Sequence, residues 1–156
     1  VHDGIDMLNT IIAVHPDTVF GLHLGRGDDA SRDMANGGYG EYARELFART
    51  RAQRPLPEYD DERSGDFAPL AEVPRDKLVV LGLIATKWPR QESEVEVKAR
   101  VAEAARYVAM DRLALSTQCG FASMAKGNSI GFDKQEGKLG LVAGIARTLW
   151  QGKYTV

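Results

Sequence analysis

Leu113-Ala-Leu-Ser-Thr-Gln-Cys-Gly-Phe-Ala-Ser123 is a short apolar run that leads into the only cysteine of the chain, Cys119, then a glycine, a loop and a last helical pattern. A thiol at the end of a buried strand stands where parallel α/β folds keep their chemistry, at the carboxyl ends of the strands. Val19-Phe-Gly-Leu-His-Leu-Gly-Arg-Gly27 repeats the arrangement, with His23 closing an apolar run. Together the two segments point to a metal site assembled from the ends of different strands.

Further strands and helices alternate around these segments. Lys77-Leu-Val-Val-Leu-Gly-Leu-Ile84 is nearly continuous in apolar residues, as expected of a strand buried on both faces. Arg112 to Ser116 predicts the next strand and Thr18 to His23 the first. Pro55-Leu-Pro-Glu-Tyr59 predicts a weak strand, because two prolines cannot donate to a ladder. Asp3 to Val14 carries Ile5, Leu8 and Ile12 at helical spacing, with Asp3 as a cap, and Tyr39 to Arg51 resumes that spacing through Tyr42, Leu46 and Phe47. Ser93 and Glu96 form a capping box that opens a helix with Val97, Val101, Ala104, Ala105 and Val108 on one face. A final helix from about Lys134 to Gln151 is expected to bury Val142, Ile145, Ala146 and Leu149. Its Gly137, Gly140 and Gly144 each weaken it by up to ~1 kcal/mol relative to alanine. The segments from Gly25 to Gly38 and from Asp60 to Val73 are expected to be polar loops, the second acidic and with room for one helical turn.

The order α-β-α-β-(α)-β-α-β-α argues for a parallel sheet with helical crossovers. In such a sheet His23, Glu58, Lys87 and Cys119 end or follow the four strands on one rim. The 156 residues suit one domain, 1–156. A net charge of -2 gives no electrostatic reason to expect nucleic acid or an anionic membrane as partner. A lone cysteine cannot form an internal disulfide, which makes a cytoplasmic setting the expectation. No apolar run approaches the roughly 20 residues of a membrane span. Val1-His-Asp-Gly-Ile has no basic segment followed by an apolar one, so no signal peptide is expected at this end.

Several segments resemble the C-terminal barrel of cobalamin-independent methionine synthases, in the branch that includes epoxyalkane:coenzyme M transferase. The family's His-x-Cys-x-Gly-Asn corresponds to His23-Leu-Gly-Arg-Gly-Asp28, its Leu-Glu-Tyr-Asp to Pro57-Glu-Tyr-Asp60, and its strand ending in Thr-Lys to Ala85-Thr-Lys87. Its Ser-Pro-Gln-Cys-Gly-Phe-Ala corresponds to Ser116-Thr-Gln-Cys-Gly-Phe-Ala122, followed by Gly127-Asn128 and Lys138-Leu139. The resemblance covers essentially the whole chain and implies about four β/α units, the C-terminal half of a TIM-like (β/α)8 barrel. It implies zinc as cofactor, held by His23, Glu58 and Cys119, with Glu58 and Cys119 taking part in catalysis. The implied reaction is methyl or alkyl transfer from a donor to a small thiol substrate, as in methionine biosynthesis. The implied partner is a second copy or a separate N-terminal barrel half, since four units leave open sheet edges.

Two departures bear on these expectations. The family's first cysteine ligand is Gly25 here, and Asp28 stands in place of asparagine as a nearby carboxylate. Each residue also has a plainer reading. Cys119 can be a small core hydrophobe, His23 a half-buried imidazole, Glu58 a loop acid and Lys87 a surface lysine. Asp60, Asp61, Glu62 and Arg63 can form a solvated loop in which Arg63 orients an acid. Gly37-Gly38 reads as a flexible loop, and Arg26-Gly27-Asp28 as a chance match to an adhesion tripeptide. At the level of function the alternatives are a non-catalytic or degenerate barrel subunit and a metal-dependent hydrolase. The hydrolase is disfavoured because a soft thiolate suits thiol activation better than water activation.

Overall fold

The computed structural model describes residues 2–122, 124–125 and 127–151. In chain order these form α1 (His2–Ala13), β1 (Gly21–Leu24), a small hairpin of β2 (Asp28–Asp29) and β3 (Arg32–Asp33), β4 (Arg54–Pro57), β5 (Val79–Ile84), α2 (Glu94–Ala104), β6 (Leu113–Thr117) and α3 (Phe132–Leu149). β1 pairs in parallel with β4, and β5 with β6. A parallel bridge between Glu58 and Gly82 joins the two pairs, so four strands lie side by side in the order β1-β4-β5-β6. This is the mixed α/β arrangement of short parallel strands that the alternation predicts. Among the described residues it is an open array, with β1 and β6 each paired on one side only, and not a closed barrel.

The prolines explain why the array is stitched in two halves. The Tyr59 N–H donates to the Gly82 carbonyl at 2.9 Å, so the alternate residues Pro55 and Pro57 present their nitrogens to β5 as well. Neither nitrogen carries a hydrogen, and the β4–β5 ladder is reduced to the bridge at Glu58. On its other edge β4 keeps a full register with β1, from Gly21–Arg54 to Leu24–Pro57.

The capping box forms as expected: the Ser93 hydroxyl accepts from the Glu96 N–H at 3.1 Å and the Glu96 carboxylate accepts from the Ser93 N–H at 3.3 Å. It starts α2, which buries Val97, Val101 and Ala104. In α3 Ile145 is buried, while Val142, Ala146 and Leu149 pack at the core margin. Asp3 lies inside the first turn of α1 rather than ahead of it as a cap. The 39–51 segment departs further from expectation. It forms a 3₁₀ turn at Gly40–Tyr42 and a π-helix at Arg44–Arg49. The buried Lys77 ammonium donates to the Phe47 carbonyl at 2.8 Å and to that of Thr50, occupying the end of the wide helix. Burial pulls the Lys77 pKa below its ordinary value. The 60–73 loop holds two 3₁₀ turns, Glu62–Ser64 and Ala68–Glu72, where one turn was expected. Behind the strands Tyr39, Phe47, Tyr59 and Phe67 form an aromatic layer, with Tyr59 centred 5.4 Å from Tyr39 and 4.6 Å from Phe67.

Gly82 is the crowded point of the array. A Cβ there would lie 2.9 Å from Gln118 Cα and 3.0 Å from the Pro57 carbonyl, both backbone atoms of neighbouring strands. Gly140 on α3 has open space at the same position. Gly82→Ala is therefore expected to destabilise the fold by about 1–3 kcal/mol through overpacking. Gly140→Ala is expected to stabilise it by up to ~1 kcal/mol. Urea unfolding of both variants checks this, and equal shifts at the two positions would contradict it.

Candidate metal centre

Parallel register carries three chemically different donors to one rim. His23 lies one residue before the end of β1, Glu58 directly follows β4, and Cys119 lies two residues past β6. Their ligand atoms all fall within 4.8 Å of one another. His23 Nε2 is 3.5 Å from Glu58 Oε1. Zinc bonds of roughly 2.0–2.3 Å in a tetrahedron place neighbouring donors about 3.3–3.8 Å apart. The His23–Glu58 pair already has that spacing, and the set as a whole needs only small side-chain rotations. One nitrogen, one carboxylate oxygen and one sulfur are the donor types zinc takes, and three protein ligands leave a position for substrate. The residues present therefore fit the metal.

Position 25 faces the same point. A Cβ built on Gly25 would meet His23 Nε2 at 2.9 Å and Glu58 Oε1 at 3.4 Å. A side chain there would be directed into the donor cluster, which agrees with the ligand role that the resemblance gives to cysteine at this position. In this chain Gly25 has no side chain to supply a fourth donor atom.

The three donors differ in burial. Glu58 is only 5% exposed, the His23 side chain is 43% exposed, and Cys119 is half-buried. A cavity of about 230 Å³ lies against His23 and Cys119, lined also by Leu56, Gly82, Gln118 and Gly120 among others. Glu58 is thus the most buried of the three, while His23 and Cys119 stand closer to solvent.

Glu58 is held tightly. Glu58 Oε2 accepts from the Arg26 N–H at 2.9 Å, and Oε1 accepts from the Gln118 amide at 3.2 Å. The Glu58 N–H donates to the Tyr39 hydroxyl at 2.8 Å, and that hydroxyl donates to the Leu24 carbonyl at 2.7 Å. Burial pushes the Tyr39 pKa up to about 12 against the opposing pull of Arg26, so the phenol stays neutral at physiological pH. The Arg26 guanidinium donates to the Glu58 carbonyl at 3.0 Å, to Ser64 Oγ at 2.9 Å and to the Gly37 carbonyl at 2.8 Å, and it stacks 4.7 Å from the Tyr39 ring centroid. The supposed adhesion tripeptide therefore contains a structural arginine. Gly37 is tied into this network instead of forming a free loop, with its own N–H donating to the Arg63 carbonyl.

Other rim residues are not brought to the centre. Asp28 turns away: its carboxylate accepts from the Ser31 N–H at 2.7 Å and from the Asn128 amide at 2.8 Å. Lys87 is no surface lysine but is 3% exposed, with Nζ 2.8 Å from Asp60 and 3.6 Å from Asp61. The Asp60 carboxylate is buried with it, where a solvated loop was expected. Burial raises the Asp60 pKa and the Lys87 ammonium pulls it back. Arg63 does orient an acid, since its guanidinium pairs with Asp61. A larger cavity of about 750 Å³ lies between this acidic loop and α2 and includes none of the three donors. Sequence reasoning singled out the donors but assigned no role to Arg26, Tyr39, Thr86 or Gln118. The one available signal was that Gln118 adjoins Cys119 inside the Ser116–Ala122 segment that resembles the family.

The uncharacterized proteins YxjG and YxjH of Bacillus subtilis (strain 168) are 42% and 41% identical to the chain over 146 residues. That match covers 92% of this chain and 39% of each relative, so the chain spans about two fifths of the length of the curated relatives it matches. Among solved structures it is similar to a protein from Listeria monocytogenes provisionally assigned as a vitamin-B12 independent methionine synthase. The TM-score is 0.68 at 29% identity, covering 93% of this chain and 39% of that one. It is also similar in fold to a B12-independent methionine synthase from Shewanella sp. W3-18-1 in complex with selenomethionine. There the TM-score is 0.59 at 22% identity, covering 71% of this chain and 30% of that one. No protein-family model matches the chain. The structural neighbours are thus B12-independent methionine-synthase-like proteins, and they support the resemblance carried by the motifs.

Tyr39→Phe should leave the buried Glu58 N–H without its acceptor and destabilise the protein by about 1–3 kcal/mol. Tyr42→Phe, at an exposed ring, should stay within about 0.5 kcal/mol of wild type. Denaturant midpoints of the two variants measure the difference, and equal midpoints would contradict the assigned role of the Tyr39 hydroxyl.

Proposed function

We propose that the chain is the metal-bearing part of a B12-independent methionine-synthase-like protein, with zinc held by His23, Glu58 and Cys119 for methyl or alkyl transfer to a small thiol. The observation that carries this reading is the convergence of one nitrogen, one oxygen and one sulfur donor from three strand ends within 4.8 Å. Zinc bound there would supply a Lewis acid that holds the substrate sulfur as a thiolate at neutral pH. His23 and Cys119 would hold the ion from the solvent side, and Glu58 would be the ligand open to exchange with the substrate sulfur. The transfer forms a sulfur–carbon bond, breaks the carbon bond to the donor's leaving group, and releases the thiol proton to solvent. The Gln118-Cys-Gly-Phe-Ala122 segment, which resembles epoxyalkane:coenzyme M transferases, keeps coenzyme M beside homocysteine in the thiol class.

One observation favours the second reading, a barrel subunit that keeps the fold without turnover. Position 25 is directed at the cluster yet carries no donor. Metal content separates the two readings. The wild type should bind up to one zinc per chain, and Cys119→Ser should abolish binding with little effect on the fold. Cys119 should resist alkylating reagents when zinc is present and react once a chelator removes it. Gly25→Cys should tighten zinc binding as the half-exposed His23 ring moves aside. Equal zinc content in wild type and Cys119→Ser would overturn the metal assignment.

The assembly follows from the open array and the partial coverage of the relatives. We propose that the β1 and β6 edges are covered by the remaining part of a longer protein, by a separate N-terminal half, or by a second copy. On α1 and directly after it, Met7, Ile11 and Val14 are exposed apolar side chains of the kind such pairing would cover. Among the described residues no helix is long and apolar enough to cross a membrane, and the single cysteine fits the cytoplasm as the proposed compartment. Light scattering at micromolar concentration should give a mass above that of one chain, or reveal a sticky monomer that binds apolar dye. A monomer that binds no dye would contradict the pairing.

A further inference from the structure

We propose that Gln118 is a positioning residue that makes Glu58 an exchangeable ligand, by presenting Oε1 to the metal and keeping the carboxylate hydrogen-bonded after it leaves. The proposal rests on the metal reading above. Gln118 is 3% exposed, and its carbonyl oxygen receives two hydrogen bonds from the fully buried Thr86, one from the N–H at 3.0 Å and one from Oγ1 at 2.8 Å. Turning the amide over would set its NH₂ against the Thr86 N–H, which can only donate, and its oxygen against the Glu58 carboxylate, which can only accept. Donor and acceptor chemistry therefore fixes the orientation. The NH₂ must face Glu58 Oε1, the oxygen that lies 3.5 Å from His23 Nε2.

The consequence concerns what happens when a thiol enters. A carboxylate as buried as Glu58 would be strongly disfavoured if it left a cation and had no partner. Here two donors stay with it, the Arg26 N–H on Oε2 and the Gln118 amide on Oε1. The Gln118 bond also draws on the charge of the metal-facing oxygen, which weakens that oxygen as a ligand. Thr86 follows β5, which carries none of the three donors, while Gln118 and Cys119 follow β6, so the relay reaches Glu58 from the strand that separates it from Cys119. The Gln118-Cys119 pair thereby delivers one permanent ligand and the control of a temporary one.

The test uses cobalt(II) in place of zinc, with 2-mercaptoethanol as the thiol. Entry of the thiol is read as growth of the sulfur-to-cobalt charge-transfer band beyond that due to Cys119. Gln118→Met keeps the side-chain length and removes the amide. It should leave metal affinity within about threefold of wild type and weaken thiol binding to the loaded protein by about tenfold to a hundredfold, the range over which second-sphere partners act. Thr86→Val removes only the hydroxyl donor and should shift thiol binding in the same direction by less, which keeps the test available if Gln118→Met folds poorly. A merely structural Gln118 would lower apo stability and metal affinity together and leave thiol affinity of the loaded protein unchanged; that result overturns the proposal. If wild type takes up metal and thiol and both variants bind thiol equally well, Gln118 has no such role and the metal reading stands. If wild type takes up no metal, the metal reading fails and the proposal with it.

Discussion

Glu58 and Gly82 form the parallel bridge that joins the β1–β4 pair to the β5–β6 pair, and the geometry of the donor cluster depends on it. Pro55 and Pro57 remove the hydrogen bonds that would otherwise hold β4 to β5. The remaining backbone bonds lie at the two ends of β4, from the Leu78 N–H to the Gln53 carbonyl and from the Tyr59 N–H to the Gly82 carbonyl where Glu58 leaves the strand. Gly82 lets the Pro57 carbonyl and Gln118 Cα approach from either side, at distances a side chain would not tolerate. Glu58 and Gln118 consequently come within hydrogen-bond reach across an intervening strand. The chain spends ladder stability at the point where it gains a fixed carboxylate.

Around that contact the donors are graded by access. The carboxylate is buried and held on both oxygens, the thiol is half-buried, and the imidazole is the most open to solvent. Neighbouring charges are neutralised locally instead of being directed at the cluster: Lys87 lies against Asp60, Arg63 against Asp61, and Lys138 against Glu92 at 2.8 Å. The field at the cluster is therefore set by its own ligands, by the neutral donors on the Glu58 carboxylate and by the Arg26 guanidinium held on the Glu58 carbonyl. Such surroundings suit a divalent cation whose ligands are one imidazole and two anions.

The parallel order, and the meeting of His23, Glu58 and Cys119 on one rim, were legible in the sequence because they rest on local signals. These were apolar runs of strand length, a capping box at Ser93, and polar residues at the ends of those runs. What escaped depends on contacts distant in sequence. The wide helix at Arg44–Arg49 is closed by Lys77, some thirty residues away, which helical spacing cannot reveal. The burial of Lys87 depends on Asp60, and a lysine after a strand carries no mark of it. The β2–β3 hairpin turns through Ala30 and Ser31 at φ of 50° and 73°. Neither residue is the glycine or asparagine that marks such turns, so the segment reads as plain loop. Arg26 and Gln118 are ordinary polar residues in sequence. They gain their roles only when Glu58 is brought between them.

Zinc K-edge absorption spectroscopy of the loaded protein tests the account most directly, because it counts the atoms around the metal. The account predicts one sulfur near 2.3 Å with nitrogen and oxygen scatterers at about 2.0–2.2 Å, and two sulfurs with one fewer oxygen when a small thiol is added. A first shell of nitrogen and oxygen alone, or one unchanged by thiol, would contradict it.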